Sequence, residues 1–355
     1  MKKMALVLQG GGALGAFEYG VVTKLVELGW QPVAVSGVSV GAVNAAAIAG
    51  AKDGDIVASL HSMWDAITLP TVPWMPAAMQ GNLSLMGNPN FWRSRTDFLD
   101  IMSWTSLCST DPMYETLSRR LDFAQINNEK HMRVAVTATN LHTGGPTTFS
   151  NHLTQQAHVD ADNHTALRTQ ITPAHVMASG ALPPGFPAAR IDDNFYWDGG
   201  MFSNTPIDAM LNLLEPEELD TLPIFVVDLF PTAGQPEPKN MLEVQTRATA
   251  LQYQNRFWAE YGGSAGLAGF IAMLEELDQE LPAKSPLRKR AAFEWLSRLR
   301  ALKNIRIIES AAAPAGGDHD FSQYGVRKAC EAGRSAVVKH FEHTLQQPAK
   351  LRAAA

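Results

Sequence analysis

The chain alternates short apolar runs with longer segments in which apolar residues recur every three or four positions. Short apolar runs are typical of strands buried on both faces of a sheet, and the recurring pattern is typical of helices. The clearest runs lie at residues 4–9, 33–38, 133–138, 223–229 and 304–308. Buried strands that alternate with helices predict an α/β fold with a mostly parallel central sheet.

A long irregular stretch separates the second apolar run from the third. Residues 62–110 contain four of the eight tryptophans and five of the 14 methionines. Such side chains pack in ordinary insertions, and they also line adaptable apolar pockets. We interpret the stretch as a cap over the sheet, within a catalytic domain of residues 1–230. Residues 231–355 are predicted to form a mainly helical extension packed on the same domain.

Composition and charge narrow the class of protein. Hydrophobic residues make up 46% and charged residues 18% of the 355 positions, which is typical of a folded globular protein. The net charge of −6 does not indicate a nucleic-acid partner. Cys108 and Cys330 are too few for a disulfide framework or a metal-site signature. Lys2 and Lys3 precede an apolar run too short for a signal peptide, and no run is long enough to span a membrane, so we expect a cytoplasmic protein.

A glycine-rich loop follows the first strand. Gly10, Gly12 and Gly15 match the dinucleotide-binding spacing G-x-G-x-x-G between a strand and a helix. That interpretation needs an acidic residue near the end of the second strand for the ribose hydroxyls, yet residues 28–51 contain no charged residue. Alternatively, consecutive glycine amides at a helix N-terminus donate to an oxyanion, where the helix dipole favours negative charge. A tight turn that only allows close packing is the third interpretation.

Ser39 is the candidate nucleophile. Gly37, Ser39 and Gly41 form a G-x-S-x-G sequence between an apolar strand and a helix of small residues. This is the context of a sharp strand-to-helix turn that holds a serine hydroxyl out over the edge of a sheet. The two glycines leave room for the bend, and the N–H of Val40 is a further candidate donor to an oxyanion.

A serine nucleophile needs a base. In an α/β-hydrolase the base is a histidine, and the candidates are three residues of the C-terminal region, His319, His340 and His343. That fold, however, places its nucleophile after about five strands, whereas Ser39 follows only the second.

A carboxylate is the other candidate base. Asp198 is followed by Gly199 and Gly200, so on a turn no side chain would block a direct hydrogen bond from Asp198 to Ser39. Because a carboxylate is a weak base, catalysis would then depend on positioning and on the oxyanion hole.

Together these segments resemble the patatin-like phospholipase family. That family combines a glycine-rich oxyanion loop, G-x-S-x-G and D-G-G or D-G-A, and this chain has GGGALG at 10–15, GVSVG at 37–41 and DGG at 198–200 in the same order. Residues 178–188 and 137–144 are also similar to family segments, as are two residues after the aspartate, Asn204 and Pro206.

The resemblance implies a three-layer α/β/α sandwich related to the catalytic domain of cytosolic phospholipase A2. It also implies a serine acyl hydrolase for lipid esters, of the phospholipase A or lysophospholipase type, with no metal or organic cofactor. In that reaction Ser39 forms an acyl-enzyme and Asp198 is the base. The oxyanion donors are implied to come from the glycine loop and the residue after the nucleophile, Gly10, Gly11, Gly12, Gly15 and Val40.

Two features of the chain depart from this pattern or extend it. Many family members carry Arg or Lys where this chain has Leu14, which leaves the role of that cation unfilled and a catalytically idle lipid-binding protein open. Residues 320–322, DFS, resemble the C-terminal extension of bacterial patatin-like proteins.

Membrane contact is an open interpretation of a basic segment near the C-terminus. Residues 285–303 carry six basic residues and one acidic residue on an amphipathic pattern. Such a helix lies on anionic lipid in some proteins and is an ordinary surface helix in others. The sequence predicts a lipid ester as substrate, but it indicates neither the head group nor the oligomeric state.

Overall fold

The computed structural model describes six stretches of the chain, residues 1–97, 102–153, 164–230, 237–254, 265–311 and 317–346. Part of the predicted cap, residues 98–101, lies outside the described residues. So do four parts of the predicted C-terminal extension, residues 231–236, 255–264, 312–316 and 347–355.

The described residues form the following strands and helices. The strands are β1 (Lys2–Leu8), β2 (Trp30–Gly37), β3 (Gly87–Asn88), β4 (Trp92–Ser94), β5 (Cys108–Ser109), β6 (Arg133–Asn140), β7 (Pro146–Ser150), β8 (Thr165–Arg168), β9 (Ala189–Ile191), β10 (Asn194–Asp198), β11 (Ile224–Asp228) and β12 (Ile305–Glu309). The helices are α1 (Gly15–Glu27), α2 (Val40–Ala49), α3 (Ile56–Ile67), α4 (Ala77–Gln80), α5 (Asp111–Arg120), α6 (Phe123–Ile126), α7 (Pro173–Ser179), α8 (Ile207–Leu213), α9 (Met241–Tyr253), α10 (Ala265–Glu280), α11 (Ala291–Arg298) and α12 (Gln323–Gln346).

One large sheet forms the centre of the molecule, in the order β12-β11-β1-β2-β6-β10-β9, with β7 beside β6 and β8 beside β7. The strands from β12 to β6 pair in parallel. Strands β10 and β7 pair antiparallel to β6, β9 pairs antiparallel to β10, and β8 pairs in parallel with β7. All five apolar runs of the sequence become strands of the parallel part. The predicted α/β fold with a mostly parallel sheet is therefore confirmed.

Helices cover both faces of the sheet because successive side chains of a strand point to opposite faces. Leu6 and Leu8 of β1 belong to one core cluster, which also contains residues of α1, α2, α3 and α12. Ala5 and Val7, one position away, belong to a second cluster with residues of α8 and α10. The three layers follow from this alternation.

The predicted basic helix over residues 285–303 is broken into three pieces. A 3₁₀ turn at Pro286–Lys289 precedes α11, and another at Leu299–Asn304 follows it. Most of the basic side chains are bound internally. Arg288 and Arg300 form ion pairs with Asp278, Lys303 does so with Asp220, and the guanidinium of Arg298 donates to buried backbone carbonyls.

Candidate active site

Ser39 lies at the sharp turn between β2 and α2. Its φ of 54° and ψ of −124° are unusual for a residue with a side chain, and such strain is typical of functional sites. The turn is possible because the flanking glycines come very close to other backbone atoms. A Cβ on Gly37 would lie 2.2 Å from the carbonyl oxygen of Gly41, and one on Gly41 would lie 2.5 Å from that of Leu8.

Strand β6 brings Ser39 and Asp198 to the same edge of the sheet. Strand β7 pairs with one side of β6, so β2 and β10 must share the other side. There Gly37 of β2 pairs with Val136, and Asp198 of β10 pairs with Ala138, only two residues further along. The two strands run towards each other along this side of β6, and their C-terminal ends meet there.

The end of α7 links the two strand ends through hydrogen bonds. The N–H of Ser39 donates to the carbonyl oxygen of Ser179 at 3.1 Å and to its Oγ at 3.0 Å, and the N–H of Asp198 donates to Ala181 at 3.0 Å. The Ser179 hydroxyl in turn donates to the carbonyl oxygen of Thr137 at 2.6 Å. Residues 179–181 therefore hold the backbone on both sides of the site in one arrangement.

Asp198 is a buried carboxylate, only 3% exposed. Burial raises its pKa from 3.8 to about 6, although interactions with the Ser39 side chain and with the N–H of Gly200 act to lower it. The N–H of Gly200 donates to Asp198 Oδ1 at 2.7 Å. Asp198 is the last residue of β10 rather than part of a free turn, and this anchors its backbone.

The amides of the glycine loop are not equivalent. The N–H of Gly10 donates to Asn204 Oδ1 at 3.0 Å, and the Asn204 amide donates back to the Gly10 carbonyl at 3.0 Å. The N–H of Gly15 is bonded to carbonyl groups within the loop. In the described part of the chain no acceptor takes the N–H of Gly11 or Gly12. The loop therefore presents two of its four predicted donors.

The N-terminus of α2 presents a further donor. The N–H of Val40 is one of the amides that a helix start leaves without an internal partner, and no acceptor among the described residues takes it. Leu14, where the sequence lacks the family's cation, is only 6% exposed and packs in the hydrophobic core.

Ser39 and Asp198 face a common cavity of about 210 Å³. Its wall is mainly apolar, and Phe91 and Trp92 of residues 62–110 form part of it. The remaining described lining residues are Gly10, Gly11, Gly12, Val40, Val43, Thr110, Met113, Val176, Met177, Gly180, Leu182, Phe186, Asn204, Phe230, Tyr253, Asp318, His319 and Phe321.

The C-terminal DFS segment completes this cavity. Gly12 has a φ of +54°, and a Cβ there would lie 2.2 Å from the carbonyl oxygen of Asp318, so the residues just before the DFS segment lie directly on the glycine loop. Phe321 packs against three aromatic rings, of Trp64, Phe91 and Trp92. The cavity therefore depends on residues far from the glycine motifs in sequence.

The three candidate histidines are placed differently. His319 lines the cavity, where its Nδ1 lies 3.6 Å from Asp318 Oδ1, and this carboxylate raises the pKa of His319. His340 packs against Phe225 and Phe341 on α12, away from the cavity wall. The side chain of His343 lies outside the described residues.

Sequence reasoning missed several contributors to the site. Ser179 and Asn204 lie within segments that resemble the family, so the sequence marked these regions but did not indicate the hydrogen bonds that the two residues make. Tyr253 carried no local signal, and the DFS sequence did not indicate that Phe321 lines the cavity, because packing between distant elements brings both residues there.

Comparison with known proteins now adds to this geometry. The model of the patatin-like phospholipase family matches residues 6–211, more than half of the chain. The chain belongs to the patatin-like phospholipase family. The family-model match ends before Tyr253, His319 and Phe321, so part of this chain's cavity wall comes from residues beyond the matched region.

A similar solved structure is that of VipD from Legionella pneumophila. The similarity covers 97% of this chain and 67% of that one, with 15% sequence identity and a TM-score of 0.42. No curated protein matched the chain.

Two structural features concern metals and membranes. Among the described residues, no three His, Cys, Asp or Glu side chains group in a way that could hold a metal ion. No helix within the described ranges has both the length and the apolar character needed to cross a bilayer.

Proposed function

We propose that this family member is a serine acyl hydrolase that cleaves carboxylic esters of lipids through a Ser39–Asp198 dyad. The observation that carries the proposal is that Ser39 and the buried carboxylate of Asp198 line the same apolar cavity, with the Ser39 side chain close enough to lower the pKa of that carboxyl. Family membership supports lipid acyl hydrolysis in general, and the cavity wall suits an acyl chain.

The chemistry proceeds in two halves. Ser39 Oγ attacks the ester carbonyl while Asp198 takes the hydroxyl proton, and the resulting oxyanion accepts hydrogen bonds from Gly11, Gly12 and Val40. Collapse breaks the bond to the alcohol, which leaves with the proton from Asp198. Water then attacks the acyl-enzyme as Asp198 takes its proton, and the fatty acid departs as Ser39 is reprotonated.

The raised pKa of Asp198 supports its role as the base. A carboxylate with a pKa of about 6 holds a proton more strongly than an ordinary aspartate, and it is still ionised at neutral pH. General bases work best when their pKa lies near the working pH. The same burial that raises the pKa also keeps water from competing for the carboxylate.

The hydrogen bonds of the loop reduce the number of glycine amides that we propose as oxyanion donors. In this arrangement Gly10 is held by Asn204 and Gly15 serves the first turn of α1, so we assign both to support of the loop. The carboxylates of Asp198 and Asp318 line the space in front of the loop. They would repel a diphosphate, which counts against the dinucleotide alternative.

A fluorophosphonate probe tests the proposal. We expect labelling at Ser39, with loss of both labelling and lipid esterase activity in Ser39→Ala. Ser203→Ala is the matched control, because Ser203 is exposed and lies outside the cavity wall. Labelling of another serine, or undiminished hydrolysis by Ser39→Ala, would refute the assignment, and a fully inert protein that binds lipid would favour the idle alternative.

A further inference from the structure

Residues 66–92, which we call the uncharged segment, contain no Lys, Arg, Asp or Glu, although charged residues make up 18% of the chain. The segment runs from the end of α3 to the start of β4. It nevertheless exposes large apolar side chains, since Trp74 is 81%, Met86 80% and Met79 53% exposed. A concentration of exposed apolar side chains without charge is typical of an interaction surface.

The conformation that exposes these side chains is held in place. The buried side chain of Gln80 accepts the N–H of Val72 at 3.2 Å and donates to the carbonyl oxygen of Met75 at 3.1 Å. Trp74 therefore projects from a loop that is closed by side-chain hydrogen bonds. Because little ordering is needed when the loop meets a partner, less binding energy is lost.

The same segment is continuous with the catalytic cavity. Its last two residues, Phe91 and Trp92, form part of the cavity wall. Its first part forms hydrogen bonds with the DFS segment and with the residue after it. The N–H of Leu69 donates to the carbonyl oxygen of Phe321 at 2.7 Å, and the Thr71 hydroxyl donates to Gln323 Oε1 at 2.6 Å. The exposed surface and the apolar wall thus belong to one piece of chain.

We propose that the uncharged segment docks the protein on a lipid bilayer, with Trp74, Met79 and Met86 entering the boundary between head groups and acyl chains. The inference rests on the proposed function, because a lipid ester must leave a bilayer to reach Ser39. Tryptophan favours this boundary, where one side of its ring is apolar and the other is wet. The uncharged segment itself offers no charge that could pair with an ionic partner.

Docking through the uncharged segment and docking through the basic segment differ in how they depend on lipid charge and salt. Arg288, Arg298, Arg300 and Lys303 are bound within the protein, which leaves little free positive charge on residues 285–303 for anionic lipid. Docking through the uncharged segment requires neither anionic lipid nor low salt, because burial of apolar area drives it.

The test measures binding to phosphatidylcholine vesicles by sedimentation, in a Ser39→Ala background so that no lipid is consumed. We expect Trp74→Ala with Met79→Ser and Met86→Ser to lower the partition coefficient at least about tenfold. Met241→Ser with Met273→Ser is the matched control, because these methionines are 72% and 60% exposed elsewhere. Binding of the control should equal that of the parent at low and at high salt.

Three outcomes would overturn the proposal. One is unchanged vesicle binding by the triple variant with its melting temperature preserved. Another is loss of binding at high salt or in Lys289→Glu with Arg290→Glu. The third is a change of oligomeric state in the triple variant without a change in vesicle binding, which would make the surface a contact between copies. Since vesicle binding is measured without catalysis, failure of the docking proposal and failure of the hydrolase assignment can be told apart.

Discussion

Gly199 lies so close to Thr137 that a Cβ on the glycine would stand 2.2 Å from the Thr137 carbonyl oxygen. That same carbonyl accepts the Ser179 hydroxyl, whose residue holds the amide of Ser39. The turn that carries Asp198 and the turn that carries Ser39 are therefore packed against one backbone group of β6. A displacement at Gly199 must move one of these two turns.

We expect Gly199→Ala to abolish hydrolysis and to destabilise the fold by about 1–3 kcal/mol, as other overpacked sites do. Gly269→Ala is the control, since a Cβ there meets nothing within 4 Å and the position lies inside α10. Alanine in a helix should leave stability unchanged or raise it by about 0.5–1 kcal/mol. Thermal unfolding and probe labelling check both variants, and full activity in Gly199→Ala would contradict the described packing.

If Asp198 is the base, as proposed, its pKa sets the pH dependence of the reaction. Only the ionised carboxylate accepts the Ser39 proton, so kcat/KM should rise about tenfold per pH unit below about 6 and level off above it. A soluble ester measured over this range checks the profile. Activity that falls as the pH rises through 6 would mean that the group must be protonated and would exclude Asp198 as the base.

Asp198 should also lower the stability of the fold. The folded state keeps its proton up to about pH 6, whereas an ordinary aspartate releases it near 3.8. The unfolded state therefore binds fewer protons between these values, and the free energy of unfolding falls as the pH rises through them. The ionised group costs on the order of 2–3 kcal/mol at neutral pH.

Asp198→Asn therefore should raise the melting temperature at about pH 8 and leave it unchanged at about pH 3. The same variant should lose about 10²–10⁴-fold in activity, the usual contribution of a general base. Asp193→Asn, with a fully exposed side chain, is the control and should change neither property. An equal shift in melting temperature at both pH values would contradict the burial argument.

The sequence predicts the part of the fold whose local pattern is strong. The parallel strands β1, β2, β6 and β11 are largely buried on both faces and therefore appear as apolar runs. Strands β7 to β10 were not predicted, since they are shorter and mix polar with apolar positions, as in the sequence NFYWD of β10. Asp198 could be identified from its two glycines, but its place at the end of a strand could not.

The surroundings of the cap tryptophans could not be predicted from local sequence patterns. Three tryptophans of the cap region have the same composition signal and different surroundings. Trp64 is buried in the core and donates to Asn44, Trp92 lines the cavity, and Trp74 faces solvent. Which of these occurs depends on contacts with Phe321 and other residues far along the chain, and composition does not encode such contacts.

Asn204 should act as a positioning residue for the oxyanion loop. Its side chain makes two hydrogen bonds to Gly10 and one to the Tyr253 carbonyl at 3.1 Å. Asn204→Ala removes the hydrogen bonds that hold the loop next to Gly11. Misplacement of the donor groups lowers the rate of reaction about 10²-fold. We expect the loss in kcat, with KM little changed, because the apolar wall that binds the acyl chain stays intact.

Asn151→Ala separates this effect from simple destabilisation. Asn151 is as buried as Asn204, and its side chain makes three hydrogen bonds to the backbone of Ile126, Met132 and Val134, outside the cavity. It should lower the melting temperature similarly while the folded enzyme keeps its kcat. Equal losses of kcat in both variants would mean that Asn204 has a structural role only.

The alternative in which a histidine is the base can be tested at His319. His319 is the described candidate histidine that lines the cavity, and its Nδ1 lies 3.6 Å from Asp318 Oδ1. If Asp198 is the base, His319→Gln should still react with the fluorophosphonate at Ser39, and His340→Gln should behave like the unaltered protein. Loss of labelling in folded His319→Gln, by the 10²–10⁴-fold typical of a general base, would instead make the imidazole the proton acceptor. Combining His319→Gln with Asp198→Asn then decides between the two. Under the dyad mechanism the double variant reacts no more slowly than Asp198→Asn alone, because His319 takes no proton from Ser39.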